Sequence, residues 1–307
     1  MGAGSGPSIS IIKILNKQKE IDLRLIACDM DNLASGLYLC DNYFLTPSCS
    51  DPTFVDFIES MCKKLKINFI FCPLDVESLV LSKHKKRFQN LGIEMSCDHW
   101  EKIILATDKS LAHCICKLFK IKTPKTYINK FPSKILKKHI YKPAIGVGGK
   151  NNFVIKKYID LKKIKTENDT QFLCQEYIEG GTEYSIDIFC DNSGQPVYCI
   201  PRERISVKSG QMVKGRTVKD KQLEEYAKYV AKSFKIAGAS CLQCIRKNSE
   251  IFFIEYNPRY GTGVNLSNAA GVSLPILDLK MRVNNHINKS LTFKEITMSR
   301  YWNEVFI

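Results

Sequence analysis

Hydrophobic and polar positions alternate between two patterns along the first hundred residues. Residues 9–17 read as a helix behind a glycine-rich loop, and Leu23 to Ala27 as a short apolar strand ending at Cys28-Asp29. Between Pro52 and Lys66, the residues Phe54, Phe57, Ile58, Met61 and Leu65 recur at the spacing of one helix face. Ile67 to Phe71 reads as a second strand. It runs into Pro73-Leu74-Asp75-Val76-Glu77, and Val76 to Leu91 reads as a further helix. Strands alternating with helices predict an α/β unit, an open parallel sheet with helices on its faces.

The pattern changes near Thr107. Asp108 to Phe119 reads as a helix, and residues 122–126 as a loop or edge strand. A strand at Tyr141-Lys142-Pro143 then runs into the glycine loop Gly146-Val147-Gly148-Gly149-Lys150. Phe172 to Ile178, Glu183 to Phe189, Val197 to Pro201, Ala239 to Ile245 and Ile251 to Tyr256 have the period-two character of strands, with one good helix at Lys221 to Phe234. Asn268 to Gly271 reads as the start of a last helix. This half is expected to be α+β with antiparallel sheets. The division falls at residues 1–106 and 107–307, the latter split into a small subdomain over about 122–175 and a larger one over about 176–307.

Composition narrows the class. No apolar run reaches the roughly 18 residues of a membrane helix. The opening Met1-Gly2-Ala3-Gly4-Ser5-Gly6 has neither the basic nor the apolar part of a secretory signal. An odd number of cysteines, 13, scattered through predicted elements, does not read as a disulfide framework and fits a reducing cytoplasm. Cys241 and Cys244 form a CxxC without a second pair at zinc-ribbon spacing, so a structural reading is favoured over metal or redox chemistry. The net charge of +15 favours anionic ligands. The excess is spread over single lysines with no aromatic-interleaved basic stripe, so a solvated Lys-rich surface is preferred to a nucleic-acid interface. The five histidines, His84, His99, His113, His139 and His286, are isolated, and no Cys-His or Ser-His nucleophile pattern emerges.

Two glycine loops need separate readings. Gly2, Gly4 and Gly6, with Asp29 at the next strand end, echo a dinucleotide fingerprint. The third glycine is misplaced, Pro7 interrupts, and no strand precedes the loop, so a packing role is preferred; either a start lies upstream or the sheet lacks its first strand. The Gly146–Lys150 loop follows a strand carrying Lys142. Glycines let backbone N–H groups approach phosphate oxygens, and lysine adds charge. By itself it is a turn as readily as a phosphate loop.

The order of the remaining motifs carries more weight. Gln175-Glu176-Tyr177-Ile178-Glu179-Gly180-Gly181-Thr182-Glu183 follows that loop; later come Gln243 and then Glu255-Tyr256-Asn257-Pro258-Arg259. This order resembles the ATP-grasp superfamily over about residues 107 to 307, with the carbamoyl-phosphate synthase large subunit and its single-copy relatives as the nearest likeness. The resemblance implies a Rossmann-like pre-ATP-grasp domain followed by an ATP-grasp domain. It also implies ATP with Mg²⁺, or Mn²⁺, as cofactors. Lys109 and Lys142 would neutralise ATP phosphates, and Gly148 and Gly149 would close over them. Glu176, Tyr177 and Ile178 would form the adenine hinge, and Glu183 would bind the ribose side or the phosphate–metal region. Gln243, Glu255 and Asn257 would ligate the metal, and Arg259, with Lys142, would stabilise charge on the transferring group. Arg202, Arg204 and Lys214 are assigned to an anionic substrate or phosphate in preference to solvent.

The implied reaction is carboxylate activation as an acyl phosphate, then attack by an amine. One copy of the unit, where the synthase has two, and Thr262 where the family often has another basic residue, point to a single-copy carboxylate–amine ligase. Related proteins often dimerise, so a homodimer is a possible partner state, and neither nucleic acid nor membrane is expected. Two other readings remain open: an ATP-binding regulatory or assembly subunit without turnover, and a nucleic-acid-binding module.

Overall fold

A computed structural model of the chain describes residues 1–146, 151–163, 171–284 and 287–307. Helix α1 (Gly6–Lys17) starts at Ser5, whose hydroxyl accepts from the Ser8 N–H; Pro7 sits in its first turn, where no helical hydrogen bond is lost. There follow β1 (Ile26–Asp29), β2 (Asn42–Leu45), α2 (Phe54–Leu65), β3 (Phe69–Ile70), α3 (Asp75–Ser82), α4 (Lys85–Gln89), β4 (Glu94–Met95) and α5 (Trp100–Thr107). β1 pairs with β2 and β3 with β4, both in parallel. Residues 1–3 run between the two pairs: the Ala3 N–H donates to Cys28 O at 3.1 Å and the Met1 amine to Phe71 O at 3.2 Å. The expected parallel sheet is therefore present as two pairs bridged by the first residues of the glycine loop, where Gly2 has a φ of +54°.

Three local expectations in this unit shift. The first strand lies at Ile26–Asp29 rather than Leu23–Ala27, so Cys28 and Asp29 belong to it. The second is just Phe69–Ile70. The single helix expected over Val76–Leu91 breaks at Lys83–His84. The break lets Phe88 fill the core of this unit while the buried Lys85 Nζ reaches Cys97 O at 2.7 Å.

The second half begins with α6 (Lys109–Leu118), capped by the Asp108 carboxylate on the N–H groups of Ser110 and Leu111. β5 (Thr126–Ile128), β6 (His139–Pro143), β7 (Phe153–Ile155) and β8 (Phe172–Glu176) form a small antiparallel sheet in the order β5-β8-β6-β7. β9 (Thr182–Cys190), β10 (Pro196–Lys208), β11 (Gln211–Thr217), α7 (Lys221–Phe234), β12 (Gly238–Lys247), β13 (Glu250–Asn257), α8 (Val264–Ala269), α9 (Leu274–Asn284) and β14 (Thr297–Ser299) complete the chain. Their strands form a six-stranded sheet in the order β13-β12-β9-β10-β11-β14.

Two further expectations are corrected here. The strand expected over Val197 to Pro201 is longer: residues 202–208 continue it as the second half of the 13-residue β10, held between β9 and β11. The turn is Ser209-Gly210, both at positive φ. Asn268 to Gly271 ends α8 instead of starting a helix: Gly271, at φ +116°, breaks it where a side chain would be strained.

Both faces of the large sheet are covered. Tyr184, Ile186 and Ile188 of β9 pack with Leu223, Val230 and Phe234 of α7 and with Leu242 of β12. On the other side, Phe189 and Ile200 pack with Val264, Leu277 and, from the N-terminal helix α1, Ile11, Ile14 and Leu15. The two units thus share a core. Among the described residues no helix is long and apolar enough to cross a membrane. Leu242 is fully buried in the α7-side core. Leu242→Ala is expected to lower the unfolding free energy by about 3 kcal/mol, read as a lower urea midpoint with unchanged slope.

Candidate functional site

A cavity of about 710 Å³ opens where the N-terminal unit, the small sheet and the large sheet meet. Its floor is one face of the large sheet. Period-two geometry puts Glu183 and Ser185 of β9, Cys241 and Gln243 of β12, and Glu255 and Asn257 of β13 on that face. Gln243 lies directly opposite Glu255 in the β12–β13 ladder. The next pair is Cys244 with Phe253, so Ile254 is an extra residue on β13. This bulge keeps Phe253 and Tyr256 in the same apolar core while Glu255 and Asn257 face the cavity.

Lys142 enters from β6 of the small sheet. Its side chain is buried, and Nζ donates to Gln175 Oε1 at 3.0 Å. Burial brings its pKa down from the usual lysine value to about 8; Glu255 and Glu183 oppose this drop and Lys109 adds to it. Lys109 Nζ donates to Gly146 O at 3.3 Å, which ties the start of α6 to the glycine loop. Gly148 and Gly149, with Val147 and Lys150, lie outside the described residues, as does His286.

The predicted hinge lines the cavity at Glu176, Tyr177 and Ile178. The Glu176 N–H donates to Lys125 O at 2.8 Å and the Tyr177 N–H to Lys138 O at 2.9 Å. The Glu176 carboxylate pairs with Lys137 Nζ at 2.8 Å. Glu183 forms an ion pair with Arg204 Nε at 3.1 Å, although that N–H is not aimed at the carboxylate. Arg204 also donates to Ser185 Oγ and Gly210 O, each at 3.0 Å.

The three predicted substrate cations separate. Arg204 lines the cavity. Arg202 also reaches its wall but is buried, with 1% of its side chain exposed, and is ion-paired to the fully buried Asp187, which accepts from Ser267 Oγ at 2.6 Å as well. Gly261 and Gly263 pack on its guanidinium; a Cβ at Gly263 would lie 1.7 Å from Arg202 Nη1. Lys214 sits exposed on β11, paired with Ser206 and Ser299, and is not among the residues lining the cavity. Val213 is an extra residue on β11, between the pairs Ser206–Lys214 and Val207–Met212, and this irregularity turns Lys214 outward while Met212, two positions away, faces in.

Arg259 is largely shielded from solvent and reaches back into the N-terminal unit. Its Nε and Nη2 donate to the two oxygens of Asp75 at 2.9 and 2.8 Å, Nη2 to Asn257 Oδ1 at 3.3 Å, and Nη1 to Tyr260 O at 3.1 Å. Burial works to lower its pKa, but the Asp75 carboxylate holds it above the ordinary value. Asn257 Nδ2 in turn donates to Glu255 Oε1 at 2.9 Å. The N-terminal loop, read as packing, contributes Gly4, Ser5, Gly6 and Pro7 to the cavity wall. Asp75 follows Pro73 at the end of a strand, a position where α/β folds place ligand-facing residues, so the sequence carried a signal for it. Ser185 and the loop carried none.

Gln243, Glu255 and Asn257 offer oxygen donors alone, which suits Mg²⁺. One carboxylate is few, and among the described residues no cluster of three or more His, Cys, Asp or Glu side chains could hold a metal. The donor set therefore fits a cation that would complete its coordination with oxygens from a ligand. Cys241 and Cys244 do not form a unit. Cys241 lines the cavity, with its thiol pushed up to about 11 by burial, and Cys244 lies in the opposite core.

The ATP-grasp domain family matches residues 106–263, and the PylC-like N-terminal domain matches residues 3–96. The chain belongs to the ATP-grasp family. The carbamoyl phosphate synthase large chain of Methanosarcina acetivorans is 22% identical over 157 residues, which are 47% of this chain and 15% of that protein. The match therefore spans a small part of that relative. N5-carboxyaminoimidazole synthetase from Staphylococcus aureus, complexed with ADP, superposes with a TM-score of 0.76 at 15% identity, over 97% of this chain and 79% of that one. The biotin carboxylase domain of Hydrogenobacter thermophilus 2-oxoglutarate carboxylase, in complex with MgADP and bicarbonate, gives 0.74 at 14% identity, over 94% and 70%. At these identities the structural likeness establishes the fold.

Lys142 also sets a pH test. Its folded pKa of about 8 lies below its unfolded value, so the unfolded chain binds more protons between about pH 8 and pH 10 and stability rises with pH there. The cost of burying the charge is fully present below pH 8. Lys142→Met is expected to stabilise the ligand-free protein by roughly 1–2 kcal/mol at pH 7, after the unpaired Gln175 is counted, with the gain gone by about pH 10. Urea unfolding at the two pH values measures it.

Proposed function

We infer that the chain is an Mg²⁺- and ATP-dependent ligase that activates a carboxylate for attack by an amine. The observation that carries this reading is the convergence on one cavity of the buried Lys142, the Glu255–Asn257 pair and the Glu176–Ile178 hinge. In this reading the adenine lies against residues 176–178 and the triphosphate runs from there along the sheet floor. Lys109 and Lys142 face its negative charge, and a bound phosphate restores the charge on Lys142 that burial weakens. Glu255 and Asn257, with Gln243, would hold Mg²⁺, which would neutralise charge on the β- and γ-phosphates.

An oxygen of the acid attacks the γ-phosphorus, the bond from that phosphorus to the β-bridging oxygen breaks, and ADP leaves. The amine then attacks the acyl carbon, a C–N bond forms, phosphate departs with its bridging oxygen, and the nitrogen loses a proton. Positioning and charge stabilisation by residues already in place do most of the work. The bicarbonate of the carboxylase relative makes bicarbonate the first acid to try. Gly4 to Pro7, Asp75, Arg204 and Thr262 form the part of the wall left for acid and amine.

The test is ADP release with MgATP across panels of carboxylates, bicarbonate included, and amines. Glu255→Gln is expected to lower kcat by about 100-fold or more while ATP affinity stays within about fivefold. A wild-type protein that neither binds ATP nor releases ADP with any acid refutes the reading.

A further inference from the structure

Asp75 lies in the N-terminal unit, remote in sequence from the metal-ligand candidates, yet its bonds lead to them. The Arg259 guanidinium has five N–H donors. Among the described residues, four are directed at protein acceptors: two at Asp75, one at Asn257 and one at Tyr260 O. An arginine can only donate, so the Asn257 atom facing it must be the carbonyl oxygen, and the amide nitrogen must point the other way. That nitrogen meets Glu255 Oε1 at 2.9 Å. The orientation of Asn257 and the placement of one Glu255 oxygen therefore follow from where Arg259 is held. The two parallel bonds from Asp75 hold it: a fork-to-fork pair fixes both the position and the plane of the guanidinium. Asp75 and Arg259 are 8% and 15% exposed, so solvent offers little competition.

Resting on the ligase reading above, we propose that Asp75 is a positioning residue for the divalent cation. Through Arg259 it fixes the orientation of Asn257, whose Oδ1 keeps a second lone pair, and the placement of the free Glu255 oxygen for the metal that accompanies the nucleotide. Arg259 then acts first as a strut for the metal ligands, with one N–H left for substrate charge. The pair also makes metal binding depend on docking of the N-terminal unit, because Asp75 begins α3 of that unit.

The probes are ADP and Mn²⁺. ADP affinity is measured by calorimetry without metal, and Mn²⁺ affinity of the protein–ADP complex by electron paramagnetic resonance of free Mn²⁺. Asp75→Asn keeps the shape and one acceptor but removes the charged fork. It is expected to weaken Mn²⁺ binding about 10-fold, with metal-free ADP affinity within about twofold. Arg259→Gln should match it, and the double variant should be no worse than either alone, since both break one relay. Equal Mn²⁺ affinity in wild type and Asp75→Asn, or losses that multiply in the double variant, would overturn the proposal while leaving the ligase reading intact. Loss of metal-free ADP affinity in step with Mn²⁺ affinity would assign Asp75 to docking alone and overturn it too. If the double variant, which buries no unpaired charge, folds where a single one does not, its Mn²⁺ affinity decides: a wild-type value overturns the proposal. Absence of metal-dependent ADP binding by the wild type overturns both readings.

Discussion

Strand β9 runs through the middle of the large sheet with both faces covered, and the unlike chemistry of those faces orders the rest of the molecule. One face is apolar: Tyr184, Ile186 and Ile188 lie against α7. The other presents Ser185 and Asp187, which are just as buried but polar. A charge at 0% exposure needs a partner, and Arg202 from β10 supplies it. That pair fixes what can pack above it. Gly261 and Gly263 close on the guanidinium because a side chain at Gly263 would collide with it. The loop after β13 is thereby seated, and with it Arg259.

The N-terminal unit joins this framework through polar strand ends as well as apolar packing. Asp75, after β3, takes Arg259. Asp98, after β4, accepts the Ala237 N–H at 2.8 Å and Lys102 Nζ at 3.0 Å. Arg282 of α9 pairs with Asp278 and donates to Ala237 O at 3.2 Å. α1 adds Ile11, Ile14 and Leu15 to the core beneath the cavity. The site is therefore assembled from three pieces, two of them fixed firmly to each other.

What the sequence made legible follows from the kind of signal involved. α7 was readable to the residue, since Asp220 caps it and its apolar stripe is regular. Glu255 and Asn257 were readable as cofacial because two residues apart in a strand point the same way; the bulge at Ile254, which aims them, leaves no mark in composition. Arg202, assigned to an anionic substrate, has its buried partner in Asp187, 15 positions away on a neighbouring strand, a pairing no local pattern names. Lys214 looked like its neighbours, and the register shift at Val213 that turns it outward leaves no mark in composition. The N-terminal glycines were read as a packing loop, and Gly4 and Gly6 line the cavity. Their place on the cavity wall depends on a tertiary contact no local pattern encodes. Metal ligation, the hinge role and the subdomain limits stand as proposals.

The small sheet is built differently from everything around it. Its buried apolar cluster comprises Tyr141, Ile155 and Cys174, and its ties to the rest include the exposed Lys122–Glu250 pair and the single bonds Phe253 N–H to Lys122 O and Lys109 N–H to Ala144 O. Segments with few apolar contacts open at lower free energy than the body that carries them. Lys142 rides on this sheet, whereas Glu255 and Asn257 belong to the body. In the proposed reading, the cation for the phosphates and the oxygens for the metal would thus sit on opposite sides of a seam. A nucleotide bound that way would act as a crosslink across the seam: its residence time and the stiffness of the small sheet would become one quantity, and its release would require unfastening the sheet before anything deeper moves.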